Sequence, residues 1–153
     1  MLLRLVIFLL INFAALGIGG LFTSGGVTSV WYQQMNKAPW TPPGWVFGAA
    51  WFSIMICFSI YMATLWQEAP QLHFQIAAMF VLQWILNVGW NPVFFKFHQT
   101  TFALFIIIAL TILVGIFLFH FLSIQKWNSL LLLPYFIWLL IATSLNAYAV
   151  VRN

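Results

Sequence analysis

Five long apolar runs, each broken by only a few polar positions, cover most of the chain, near residues 3–23, 44–66, 72–94, 100–122 and 129–151. A helix rises 1.5 Å per residue, so about 20 apolar residues cross the roughly 30 Å of bilayer hydrocarbon. Each run therefore predicts one membrane-spanning helix. The runs are unbroken and too long for barrel strands, which are shorter and alternate polar with apolar. The expected fold is an all-α integral membrane bundle of five helices in one domain, residues 1–153, with a long structured loop between helices one and two.

That loop is the most unusual stretch. Pro39, Pro42 and Pro43 lie close together and are flanked by Trp40 and Trp45. Proline fixes φ, lacks an N–H and pushes the residue before it toward extended geometry, so residues 38–43 are expected to be stiff and non-helical. Pro43 suits the first turn of the second helix. Two readings of the loop stand side by side. It is either an interfacial anchor of indoles or, over residues 25–43, a lid hinged at Gly25 and Gly26. The prolines would lower the entropy lost when such a lid closes. The run before it is read as a span and not a cleaved leader, because its apolar stretch is long for a signal. Gly44 and Gly48, one turn apart, would allow close helix packing, within the chain or between copies. Asn91-Pro92 is expected to break or kink the third helix, whereas Pro134 falls early enough in the fifth to cost little.

Composition narrows the function. The chain is 65% hydrophobic and 4% charged, with five basic residues and a single acid, Glu68. The net charge of +4 is scattered over Arg4, Lys37, Lys96, Lys126 and Arg152, which excludes a nucleic-acid surface. One carboxylate cannot supply a paired acid and base for hydrolysis. His73, His98 and His120 have no ligand spacing, so no metal site is expected, and no cofactor is required. Cys57 reads as a small packed hydrophobe. Lys37, Lys96 and Arg152 on the carboxy-terminal side outnumber Arg4 and Lys126 on the other. That bias points to a cytoplasmic carboxy terminus and first loop in a bacterial cell membrane.

Two helices carry candidate chemistry. Gln83, Asn87 and Asn91 recur every four residues on the third helix, beside Trp84 and Trp90. Amides cannot face lipid unpartnered, so the stripe turns inward, either to bond neighbouring helices or to line a ligand pocket. On the fifth helix Tyr135, Trp138, Ala142, Leu145 and Asn146 share a face, with Ala142 leaving a gap. Tyr32, Trp51, Trp90 and Trp138 are either core packing or flat walls for a large planar ligand.

The Pro39-Trp40-Thr41-Pro42-Pro43-Gly44 core, the Leu86–Phe95 stretch, Trp31-Tyr32 and the run from Leu132 through Tyr148 together resemble the tryptophan-rich sensory protein and translocator protein family, the peripheral-type benzodiazepine receptor-like proteins. The resemblance runs from about residue 30 to the end. It implies a pocket among the five helices, below the first loop, that takes porphyrins, sterols or benzodiazepine-type ligands in a receptor, sensor or carrier. It maps the loop motif onto Trp40, Pro42 and Pro43, the porphyrin-handling indoles onto Trp51 and Trp138, and the pocket amide onto Asn87. Tyr32, Trp90 and Ala142 complete the expected ligand-binding set. A sterol-recognition pattern falls on Leu145, Tyr148 and Arg152, although Tyr148 and Arg152 suit an interface anchor and its snorkelling partner equally well. The resemblance also implies a homodimer. It offers a second activity, light- and oxygen-dependent porphyrin degradation with Trp51 and Trp138 as redox partners.

Overall fold

The computed structural model describes all 153 residues and contains helices and turns without a strand. The helices are α1 (Leu2–Val27), α2 (Val30–Gln34), α3 (Gly44–Glu68), α4 (His73–Phe95), α5 (Thr100–His120), α6 (Leu122–Gln125) and α7 (Leu133–Arg152). Short 3-10 turns at Pro70–Leu72 and Lys126–Leu132 lead into α4 and α7. Five segments are long and apolar enough to cross a membrane, and the chain is a multi-pass integral membrane protein.

The spans close into a ring in which α3 packs on α1, α1 on α4, α4 on α5, α5 on α7, and α7 back on α3. Alternating direction places the loop, the start of α3 and the end of α7 at one end of the ring, the loop end. Glu68 and Lys126 mark the other. There the only acid is held by a buried amide: Gln125 Nε2 donates to Glu68 Oε2 at 3.0 Å, while its Oε1 accepts from Thr64 at 2.8 Å.

Packing along the axis is uneven. Towards the Glu68 end, the Phe58 ring meets Phe80 of α4, Phe117 of α5 and Tyr135 of α7 at centroid distances of 5.9, 6.1 and 5.4 Å. Tyr61 adds to this plug and donates from its hydroxyl to the Phe117 carbonyl at 2.8 Å. Towards the loop end the walls are only half-buried. No residue of α3 is buried before Ile54, none of α4 between Gln83 and Phe94, and none of α7 between Leu139 and Asn146. A smaller cluster of Phe94, Phe95 and Ala103, packed by Trp31, Tyr32 and Met35, closes the loop end above them.

Several expectations need correction. Pro92 does not end α4, which runs on to Phe95. The proline sits one turn from the helix end, where it removes only the bond to Val88. Its own carbonyl accepts from Lys96 and Phe97 at 2.9 and 3.0 Å. Pro43 is the N-cap of α3, one position before its first turn. The first loop is partly helical, because Ser29 caps α2 by accepting from the Tyr32 N–H at 3.2 Å. A Cβ at Gly44 or Gly48 would meet nothing within 4 Å, so neither marks a close helix contact within the chain.

Gly25 and Gly26 are not a hinge; both lie inside α1 and neither has a positive φ. Gly26 is instead a contact point, since a Cβ there would run into the Phe95 ring, while one at Gly25 would meet open space. The two positions therefore separate propensity from packing. Gly26→Ala is expected to cost about 1–3 kcal/mol through overpacking, and Gly25→Ala to gain up to about 1 kcal/mol of helix propensity. Thermal melts of the two variants in detergent check this, with opposite shifts expected.

Candidate functional site

The half-buried zone lies between α3, α4 and α7, above the aromatic plug. Its α3 and α7 walls form a ladder of edge-to-face rings, Phe47 on Trp138 at 5.3 Å and Trp51 on Tyr135 at 5.8 Å. Residues 47 and 51 are one turn apart on α3, and 135 and 138 nearly so on α7, so two antiparallel helices present matched rungs. At its base, Gln83 Nε2 donates to the Tyr135 hydroxyl at 2.6 Å.

Two polar atoms here have no partner. Gln83 is 1% exposed and Trp138 7%, yet Gln83 Oε1 and the Trp138 indole N–H make no hydrogen bond. Buried polar groups are almost always paired, and an unmade bond costs about 1–3 kcal/mol. An acceptor and a donor are thus held unpaired among aromatic walls.

The amide stripe of α4 divides. A helix turns about 100° per residue, so each step of four overshoots by about 40°, and Gln83 and Asn91 point about 80° apart. Gln83 reaches α7. Asn91 reaches α1, accepting from Thr23 Oγ1 at 2.8 Å, and it crowds Gly19, where a Cβ would lie 2.8 Å from Asn91 Nδ2. Asn91 is an interhelical bond. Asn87, between them, is half-buried. Its carbonyl accepts from Asn91 Nδ2 at 3.2 Å, while its own side-chain amide makes no hydrogen bond within the chain.

The remaining sequence-derived residues sit higher. The Trp90 ring stacks on Phe94 at 4.8 Å and its N–H donates to Asn146 Oδ1 at 3.0 Å. Asn146 Nδ2 donates onward to the Thr100 carbonyl at 2.9 Å, tying α4, α7 and α5 together. Ala142 and Leu145 are half-buried on α7. Tyr32 packs on Phe95 at 5.6 Å beneath the Lys37 ammonium, 4.6 Å from its ring centre. Burial pushes the Tyr32 phenol above its ordinary range.

The loop reaches across to α7. Trp40 Nε1 donates to Ser144 Oγ at 3.1 Å and the Trp40 ring meets Tyr148 at 5.5 Å. Asn36 donates to the Arg152 carbonyl at 3.1 Å. Pro42 is half-buried and Pro43 exposed. In the sterol-type pattern, Tyr148 is covered from within the chain, by Trp40 and by the Arg152 guanidinium 5.7 Å from its ring centre. Phe47 and Ser144 join the site beyond the residues named from sequence, and Gln83 and Tyr135, named there on inward faces, enter it as a bonded pair. Phe47 was readable as one turn before Trp51.

No cluster of His, Cys, Asp or Glu suits a metal ion. His73 and His98 are instead stacked on Trp66 and Trp31, each at 4.1 Å.

Comparison with known proteins matches residues 6–152 to the TspO/MBR family. The tryptophan-rich protein TspO of Archaeoglobus fulgidus is 34% identical over 135 residues, 86% of this chain and 86% of that one. The tryptophan-rich sensory protein of Cereibacter sphaeroides is 32% identical over 123 residues, 80% of this chain and 77% of its own. The human translocator protein is 27% identical over 126 residues, covering 80% and 74%.

Proposed function

The chain belongs to the TspO/MBR family, and from that premise we propose that it is a membrane sensor or receptor whose interior site takes a tetrapyrrole such as protoporphyrin, with sterols and benzodiazepine-type molecules as further candidate ligands. The observation that carries this reading is the unpaired acceptor and donor, Gln83 Oε1 and Trp138 Nε1, set in the half-buried aromatic zone under the loop. Aromatic walls with a few convergent polar groups are what a large, flat, mostly apolar ligand requires. Trp51 and Trp138 supply the walls and Asn87 a further free amide.

The test is a titration of the purified protein with protoporphyrin, following tryptophan fluorescence and thermal melting. Quenching is expected to saturate. A ligand at a hundred times its Kd stabilises the folded state by about 2.7 kcal/mol, so the melting temperature should rise with it. A melt unmoved by porphyrin, sterol and benzodiazepine-type ligands alike would falsify the receptor reading.

In the same reading residues 28–43 serve as the lid of the site, held closed by Trp40 on Ser144 and Tyr148. Replacing Pro42 and Pro43 by Ala is expected to speed ligand dissociation severalfold while circular dichroism stays unchanged. Unchanged dissociation would leave the loop as an interfacial anchor.

A further inference from the structure

Outside the ring, on the face of α5 and α7 turned away from the interior site, runs a groove of about 480 Å³. Its walls are Ile112, Ile116, Phe119 and His120 of α5, and its floor is Phe136 lying over Gly115. The groove depends on Gly115: a Cβ there would come 3.2 Å from the Phe136 ring. From Thr111 to His120 it extends about 14 Å at 1.5 Å per residue. That is about half the hydrocarbon thickness, hence one leaflet. Ile112, Ile116 and Phe119 are exposed on a membrane-spanning helix, at a depth that faces the hydrocarbon of the leaflet at the Glu68 end.

The ends of the groove differ in chemistry. At mid-membrane the Thr111 hydroxyl is already used, donating to the Ile107 carbonyl at 2.7 Å. At the membrane surface lie His120 and, 3.5 Å from its ring nitrogen, the Gln75 side-chain amide. This is also the carboxy-terminal end of α5, whose last four carbonyls have no partner within the helix. Tyr61 takes the Phe117 carbonyl, leaving those of Leu118, Phe119 and His120. Carbonyls at the negative end of a helix dipole favour a hydrogen-bond donor and disfavour a phosphate. The walls are branched side chains and two rings set at 85° to each other, with no flat face on which a fused ring system would lie.

We propose that this groove is a binding site for a neutral glycerolipid of diacylglycerol type, one acyl chain lying along Gly115 and Phe136 and the head hydroxyl bonded at His120. The site is separate from the interior one and does not depend on what the interior binds.

The experiment uses the intact protein in phosphatidylcholine nanodiscs containing diacylglycerol with a diazirine on its acyl chain, irradiated and then mapped by peptide mass spectrometry. Adducts are expected to concentrate on residues 112–120 and Phe136. They should fall severalfold with excess unlabelled diacylglycerol, and again in Ile116→Trp, whose indole would occupy the groove. If that variant melts early, His120→Ala, at an exposed position, carries the same comparison and should weaken competition by diacylglycerol. Labelling spread evenly over every lipid-facing helix overturns the proposal. So does competition by added phosphatidylcholine or by a sterol that matches competition by diacylglycerol.

Discussion

Protein carrying both Trp51→Ala and Trp138→Ala is expected to lose saturable protoporphyrin quenching, with affinity falling on the order of a hundredfold. Each substitution removes one rung of the α3–α7 ladder. Aromatic pairs contribute about 0.5–1.5 kcal/mol beyond their burial, so two walls lost from a planar ligand, together with one hydrogen-bond donor, remove about 3 kcal/mol. The same change removes the Trp138 ring from Phe47 and the Trp51 ring from Tyr135 and will lower the melting temperature, so affinity is to be measured well below it. Trp138→Phe separates the two contributions. It keeps a ring against Phe47 and deletes only the N–H, and it should weaken binding by about tenfold. Double-variant affinity equal to the parent's would remove the site from the α3–α7 ladder altogether.

The second large effect is on stability. Phe58→Ala empties the centre of the plug, where one ring touches partners on α4, α5 and α7 and is fully buried. In water such a change costs about 3–5 kcal/mol, partly from lost transfer of apolar surface. In a bilayer that transfer term largely cancels, because lipid is as apolar as the interior. What remains is cavity and lost dispersion, about 2 kcal/mol. The expected result is a clear fall in melting temperature with protoporphyrin affinity within about twofold of the parent. A large loss of affinity would mean that the plug and the ligand site are one body.

Much of this was legible in the chain. Five apolar runs of spanning length, the non-helical stretch through Pro39, Pro42 and Pro43, and the inward face of Tyr135, Trp138 and Asn146 all follow from period and proline chemistry. What was not legible depended on distances between elements. Gly25 and Gly26 have the composition of a hinge, and only the approach of Phe95 shows that Gly26 is a packing contact. Pro92 breaks a helix on local rules, but the turn after it is held by Phe94 and Phe95 packing on Trp90. Four-residue spacing placed Gln83, Asn87 and Asn91 on one face. The accumulated rotation, invisible as a pattern, sends Gln83 to Tyr135 and Asn91 to Thr23. Trp90 read as a pocket wall, and the bond from its N–H to Asn146 is a contact that spacing alone does not show.

The plug of Phe58, Tyr61, Phe117 and Tyr135 has a consequence for traffic. All four are fully buried, and they come from three of the five spans. An aromatic barrier thus separates the loop end of the ring from the Glu68 end. For the ring to serve as a conduit, α3, α5 and α7 would have to part by at least the thickness of an aromatic ring, breaking the Tyr61–Phe117 bond on the way. With this packing, four buried aromatic side chains close the centre of the ring between its two ends.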